Sequence, residues 1–203
     1  MKIGSNDVLL VVDVQNDFCT GSLAIPGAEA IVPIINRLSD LFSNIVITQD
    51  WHPVNHVSFA SAHPGKRPGD TIQAAYGPQK VYADHCVQGA WGAQLHPGLE
   101  LTTAELVLRK GARRAVDSFS AFVENDRKTT TGLAAFWRCT HPIDAVERVM
   151  GGCRAGRRFT TRAHTEHYAW QWHCRKIEVV ADRAEGVPFA STERGHRIQT
   201  LVR

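Results

Sequence analysis

The chain has 203 residues, 43% of them hydrophobic and 21% charged, and carries a formal net charge of +3. That length suits one domain with a substantial core, and the near-balanced charge gives no general case for nucleic acid. The five cysteines stand singly and are odd in number, which argues against a disulfide framework and a structural zinc ribbon. From the N-terminus, Val8-Leu-Leu-Val-Val12 is a continuous apolar run, as expected of a strand buried on both faces, and it ends at Asp13. Glu29 to Leu41 places Ile31, Ile34, Ile35, Leu38 and Leu41 on one helical stripe. Ile45-Val-Ile47 predicts a second strand ending near Asp50. Residues 51–98 are rich in Pro, Gly and His and have no strong period, and a loop of that length inside a domain is usually functional. Glu105-Leu-Val-Leu108 predicts a third strand leading to Lys110-Gly111. Thr129 to Arg138 predicts a helix with Thr129, Thr130 or Thr131 as N-cap. Glu147-Arg-Val-Met150 predicts a fourth strand running into Gly151-Gly152-Cys153, and Ile177-Glu-Val-Val180 a fifth ending at Ala181-Asp182. Between these two, Thr160 to His173 reads as helical but unusually rich in Trp and His.

Strands alternating with helices predict an α/β fold, a doubly wound, mostly parallel sheet with helices on both faces, in a single domain over residues 1–203. Ligands in such folds bind beyond the carboxyl ends of the strands. Those ends carry Asp13, Asp50, Lys110 and Cys153. No secretory signal is legible and no apolar run approaches membrane-spanning length, so a cytoplasmic setting is expected. Charge is uneven: residues 1–137 hold 11 Lys/Arg against 13 Asp/Glu, and residues 138–203 hold 12 against 7. A solvated basic face is the plain reading of that tail.

The chemistry concentrates at Asp50-Trp-His52-Pro-Val-Asn-His56. Asp50 and His52 are one residue apart and share a face of an extended segment. That pairing suits one divalent ion, zinc, manganese or iron. His85 is the candidate third ligand, and a three-residue set leaves open positions, the mark of a catalytic rather than a structural site. His56 is either a fourth ligand or a support for the loop. Asp13 reads as a helix cap or a base. Lys110 reads as a solvated charge or as a partner that holds a nearby carboxylate ionised.

Val11-Val-Asp13-Val-Gln-Asn-Asp-Phe18, Thr48-Gln-Asp50-Trp-His52-Pro-x-Asn-His56-x-Ser-Phe59, Asp84-His85-Cys-Val-Gln-Gly89, Arg109-Lys110-Gly111 and Asp117-Ser-Phe-Ser-Ala-Phe122 occur in order at suitable spacing. Together they closely resemble the nicotinamidases (pyrazinamidases) of the isochorismatase-like cysteine hydrolases, over roughly residues 6–137. The resemblance implies a six-stranded parallel sheet with flanking helices, and hydrolysis of nicotinamide to nicotinate and ammonia, a step of NAD salvage. It implies Asp13 as general base, Lys110 as its charged partner, and Asp50, His52 and His85 as ligands of a metal that binds the pyridine nitrogen. Phe18 and Tyr82 fall at its aromatic pocket walls, with core packing as the other reading of each. The expected partner is a small aromatic amide, with no nucleic acid or membrane, and homo-oligomerisation stays open.

The family's nucleophile is a cysteine in a Gly-Leu-Ala-Thr-Asp-Tyr-Cys-Val-like turn after the fourth strand, and this chain has no such turn. Alignment of the flanks puts the expected cysteine near Arg157 or Arg158, and Cys153 lies several residues early. Three readings follow: Cys153 as a relocated nucleophile, a catalytically impaired relative that keeps metal and ring binding, or a local disruption of the sequence between about 138 and 175. Cys19, Cys86, Cys139 and Cys174 are not expected to be nucleophilic.

Overall fold

The computed structural model describes residues 7–140, 177–181 and 199–202. Strand β1, Val8–Val12, is buried at every residue, as its unbroken apolar run predicts. A short helix α1, Asn16–Cys19, follows. The predicted helix over 29–41 divides in two. Ala28–Ile31 is a tight 3-10 turn, and helix α2 proper is Val32–Ser39, with Pro33 in its first turn. Proline lacks the N–H that a first turn leaves unused, so it starts this helix rather than breaking it. Strand β2, Asn44–Asp50, extends the predicted run to the aspartate.

The long segment after β2 is more ordered than its lack of period suggests. It contains an antiparallel hairpin, β3 (Thr71–Ala74) and β4 (Gly77–Lys80). Its two ends run back along one another: Ala60 N–H donates to the Tyr82 carbonyl, Tyr82 N–H to Ser58, and His52 N–H to Cys86. Strand β5, Leu106–Lys110, and helix α3, Leu133–Thr140, complete the first part of the chain. The hydroxyl of Thr131, one of the predicted caps, accepts the Leu133 N–H at 3.4 Å.

Ile177–Ala181 (β6) and Gln199–Val202 (β7) join the main sheet, whose order is β5-β2-β1-β6-β7. Three of its four pairings are parallel. The fourth is antiparallel: β6, the predicted strand at 177–180, runs against β1, and the sheet is mostly parallel, as expected. The predicted strand at 147–150 and the helix at 160–173 lie outside the described residues.

Alternate residues of the central strands feed two apolar clusters. Leu9, Val11, Ile45 and Ile47 meet Val32 and Ile35 of α2, whereas Val8, Leu10, Val12 and Val46 meet Ala121 and Leu133. Full burial contributes about 1.5–3 kcal/mol for each large aliphatic side chain, so this two-sided packing fixes where the strands stop. Strand β5 is half-covered: Val107 is exposed, and Arg109 lies over the Trp51 ring with its guanidinium 3.8 Å from the centroid. Among the described residues no helix is long and apolar enough to cross a membrane.

Candidate active site and metal centre

Strand register brings the charged residues together. Val12 pairs with Thr48, and Asp50 pairs with Lys110, so three neighbouring strands end side by side with Asp13, Asp50 and Lys110 at their tips. Asp13 turns the chain with φ +50°, a left-handed conformation that costs a non-glycine residue about 1 kcal/mol or more. Thr48 holds it there: its hydroxyl donates to Asp13 Oδ1 at 2.7 Å, and its carbonyl accepts the Asp13 N–H at 3.2 Å.

Lys110 is wholly buried. Its ammonium pairs with Asp13 Oδ2 at 2.7 Å and with Asp50 Oδ1, and donates to the Ser118 carbonyl at 2.9 Å. Asp50 and Ser118 accept hydrogen bonds from the ammonium, and Asp13 adds a close ion pair. Burial alone would push the Lys110 pKa down. The Asp13 and Asp50 charges more than reverse this, and the amine is held above the ordinary lysine range. Two carboxylates around one ammonium leave a surplus negative charge in a water-poor place, and such a surplus is costly unless a further cation offsets it.

The second oxygen of Asp50 faces that need. Asp50 Oδ2 lies 3.7 Å from His52 Nε2. His52 Nδ1 is 2.9 Å from the Gly111 carbonyl, and His85 Nδ1 is 2.8 Å from the Ala83 carbonyl. A carbonyl only accepts, so each neutral ring carries its proton on Nδ1 and presents Nε2 as a lone pair. His52 Nε2 is buried without a hydrogen-bond partner. Burial pushes the His52 pKa down, but the nearby Asp50 carboxylate outweighs it and the net shift is upward. Positive charge is therefore favoured at this spot. Asp50, His52 and His85 each offer a ligand atom within 4.8 Å of the others, and all three are buried. An orphaned imidazole nitrogen, a surplus carboxylate charge and two preset tautomers fit one divalent cation.

His56 stacks on His52 with ring centroids 4.2 Å apart. It forms a second close set with His52 and Asp117. Its Nε2 lies 3.2 Å from the Val116 carbonyl and its Nδ1 2.7 Å from the Ser58 hydroxyl, so the loop engages both nitrogens. Burial, with the charge of His52, pushes its pKa down to about 4, and burial does the same to His85.

Aromatic rings surround the three histidines. Phe18 lies 5.7 Å and Tyr82 6.2 Å from the His85 ring. Phe18 also belongs to the apolar cluster beside α2, so its packing and its place at the site coincide. Phe59, not singled out from sequence, is within 5.6 Å of His52, His56 and His85.

Sequence reasoning also missed the supports. Gln15 is fully buried and donates to the Asp50 and Ala93 carbonyls, each at 2.8 Å, while its own oxygen accepts the Asp50 N–H at 2.8 Å. The Asp13-x-Gln15 alternation was the available signal. Gly111 takes φ +62°, and a Cβ there would lie 2.7 Å from His52 Nδ1, so only glycine both turns the chain and admits the ring. Cys153 lies outside the described residues. Cys19 and Cys86 are buried and in no disulfide, and burial together with nearby carboxylates pushes the Cys86 thiol far up, against thiolate formation.

The Isochorismatase domain model matches residues 7–134. The chain belongs to the isochorismatase family. Within that family it is 58% identical over 147 residues to a nicotinamidase of Acinetobacter baylyi, covering 72% of this chain and 68% of that protein. A nicotinamidase/pyrazinamidase structure from Acinetobacter baumanii is similar at 49% identity and TM-score 0.65, covering 66% of each chain. PnC1 from L. infantum, solved in complex with nicotinate, is similar at 40% identity and TM-score 0.57, covering 68% of this chain and 64% of that one. The chain therefore matches about two thirds of the length of these relatives. The isochorismatase match takes in Asp13, Phe18, Asp50, His52, His56, Tyr82, His85 and Lys110 and ends before Cys153.

Proposed function

We propose that this isochorismatase-family chain is a metal-dependent amidohydrolase that converts nicotinamide to nicotinate and ammonia and takes pyrazinamide-like amides as well. The observation that carries the reading is the buried cluster of Asp13, Lys110 and Asp50 joined to His52 and His85. The nicotinamidases to which the chain is similar, and the relative that holds nicotinate, support the substrate class. Asp50, His52 and His85 hold the metal, with His56 buttressing the His52 ring; zinc, manganese and iron all suit an Asp-His-His set. When bound, the ion supplies an anchor for the pyridine nitrogen, which is positioning rather than attack on the amide. Phe18 and Tyr82 wall the ring.

Asp13 accepts the thiol proton of Cys153, and the thiolate attacks the amide carbon. Asp13 returns the proton as ammonia leaves, and water then hydrolyses the thioester to nicotinate and the free thiol. Lys110 keeps a positive charge beside Asp13 throughout. The two-sided apolar packing supports a doubly wound sheet with helices on both faces, and a sixth strand beyond the five described, in a single domain over 1–203, is part of the proposal. Cys19 and Cys86, neither of them in a disulfide, suit a reducing cytoplasm, and a homo-oligomer is part of the proposal.

Ammonia release from nicotinamide by the purified chain tests the reading. We expect turnover that falls about 10²- to 10⁴-fold in Asp13→Asn and is abolished in Cys153→Ala. Undiminished turnover in Cys153→Ala removes that residue as nucleophile; a wild-type chain that binds zinc yet releases no ammonia overturns the hydrolase assignment and favours an impaired ring-binding relative, which the intact charge cluster and the nicotinamidase relatives argue against.

A further inference from the structure

Asp17 has no part in the chemistry above, yet its surroundings are built around its carboxylate. It is buried, and its Oδ2 accepts the Cys86 N–H at 2.7 Å while Oδ1 accepts the Ser22 N–H at 3.0 Å. Hydrogen bonds from N–H to a carboxylate are about twice as strong as neutral ones. Two glycines make room for it: a Cβ added at Gly21 or at Gly92 would overlap the Asp17 side chain.

The peptide that Asp17 grips is a junction between two candidate ligands. Cys86 directly follows His85. Its carbonyl accepts the His52 N–H at 2.9 Å, and the His52 carbonyl in turn accepts the Gln88 N–H at 2.9 Å. Cys86 takes φ +48°, a left-handed conformation unfavourable for a residue with a side chain. Strain of that kind persists only where the surroundings over-determine it. Here the surroundings are the Asp17 carboxylate on the Cys86 N–H and the His52 N–H on the Cys86 carbonyl.

We infer that Asp17 is a positioning residue for the metal centre, holding the Cys86 peptide in its left-handed turn so that His85 and His52 present their Nε2 atoms together. It touches neither ion nor substrate and acts through the backbone between them. The inference rests on Asp50, His52 and His85 being the ligand set. Second-layer partners of a metal site typically contribute about 10- to 100-fold to its affinity.

The test is Zn²⁺ titration of wild type, Asp17→Asn and Gly92→Ala, the last displacing the same carboxylate without changing it. We expect a Kd weakened about 10- to 100-fold in both variants, with an altered visible spectrum when Co²⁺ replaces Zn²⁺. A merely structural role lowers Tm but leaves the Kd and Co²⁺ spectrum unchanged, and that result overturns the proposal. In the intact wild-type chain, Zn²⁺ should slow exchange of the Cys86 and Ser22 amides more than that of α2 amides; uniform slowing also overturns it, whether or not the variants fold. If wild type binds no Zn²⁺, the ligand set itself is wrong, a failure separable from that of Asp17.

Discussion

Lys110 shows how much one side chain settles at this site. It sits between two carboxylates at full burial, so its removal leaves two anions where one cation had neutralised part of their charge. Breaking a buried pair from one side costs about 3–5 kcal/mol, because the abandoned charge stays desolvated. Lys110→Met should lower the stability by about that amount, read from the urea midpoint, and should abolish turnover. The double change Lys110→Met with Asp13→Asn should be less destabilising than the sum of the singles, since it removes the stranded charge together with its partner. Equal, additive losses would mean that the ion pair is not coupled.

At the scale of elements, the end of β1 was legible because its apolar run stops at Asp13, and the ends of β2 and β5 because Asp50 and Lys110 follow within three residues of theirs. The unbroken burial of β1 is what Val8 to Val12 alone dictates. What the sequence could not show is how 51–98 folds back so that His52 and His85 meet. That depends on single backbone hydrogen bonds, such as His52 to Cys86, and on left-handed turns at Cys86 and Gly111, none of which leaves a periodic trace. The β3–β4 hairpin escaped notice for a related reason: its strands have four residues each, too few for alternation to stand out. Gly111 offers the direct check. Gly111→Ala meets both a positive φ and the His52 ring, so it should destabilise the fold by more than the roughly 1 kcal/mol of the backbone term alone. It should also weaken Zn²⁺ binding in the same titration, whereas Gly27→Ala, equally left-handed but with open space around it, should affect stability only.

For the whole molecule, acid should be the metal-free protein's weakness. His56 and His85 fall to about 4 in the fold from an ordinary value near 6.5. Between those limits the unfolded chain binds protons that the fold refuses, so stability drops as pH falls, by up to about 1.4 kcal/mol per pH unit for each histidine. His52 is shifted upward, and its contribution is already complete below its unfolded pKa, so it does not offset that slope. Chemical denaturation of the metal-free protein from pH 7 to 4 measures this. Conversely, Zn²⁺ at 100 times its Kd should add about 2.7 kcal/mol at neutral pH, and EDTA should remove it, seen as a reversible fall in Tm. Asp13, Asp50 and Lys110 were readable as candidates because each lies at a strand tip, whereas His85, in the loop after β4, was reached only through the chain-order motif. The candidate nucleophile was not readable in the same way, because Cys153 lies in a stretch whose motif departs from the family's, and it falls outside the described residues.

The pairing of Asp50 with Lys110 has a consequence for how the chain avoids misfolding. Arg109 and Lys110 point to opposite sides of β5, and a slip of one residue against β2 would send the lysine outward and strand Asp13 and Asp50 without their cation. The penalty for that stranded charge is of the same order as the marginal stability of a typical domain. A misregistered sheet would therefore be rejected energetically before any substrate was met, so the ammonium that neutralises this charge cluster also proofreads the alignment of the strands that carry it.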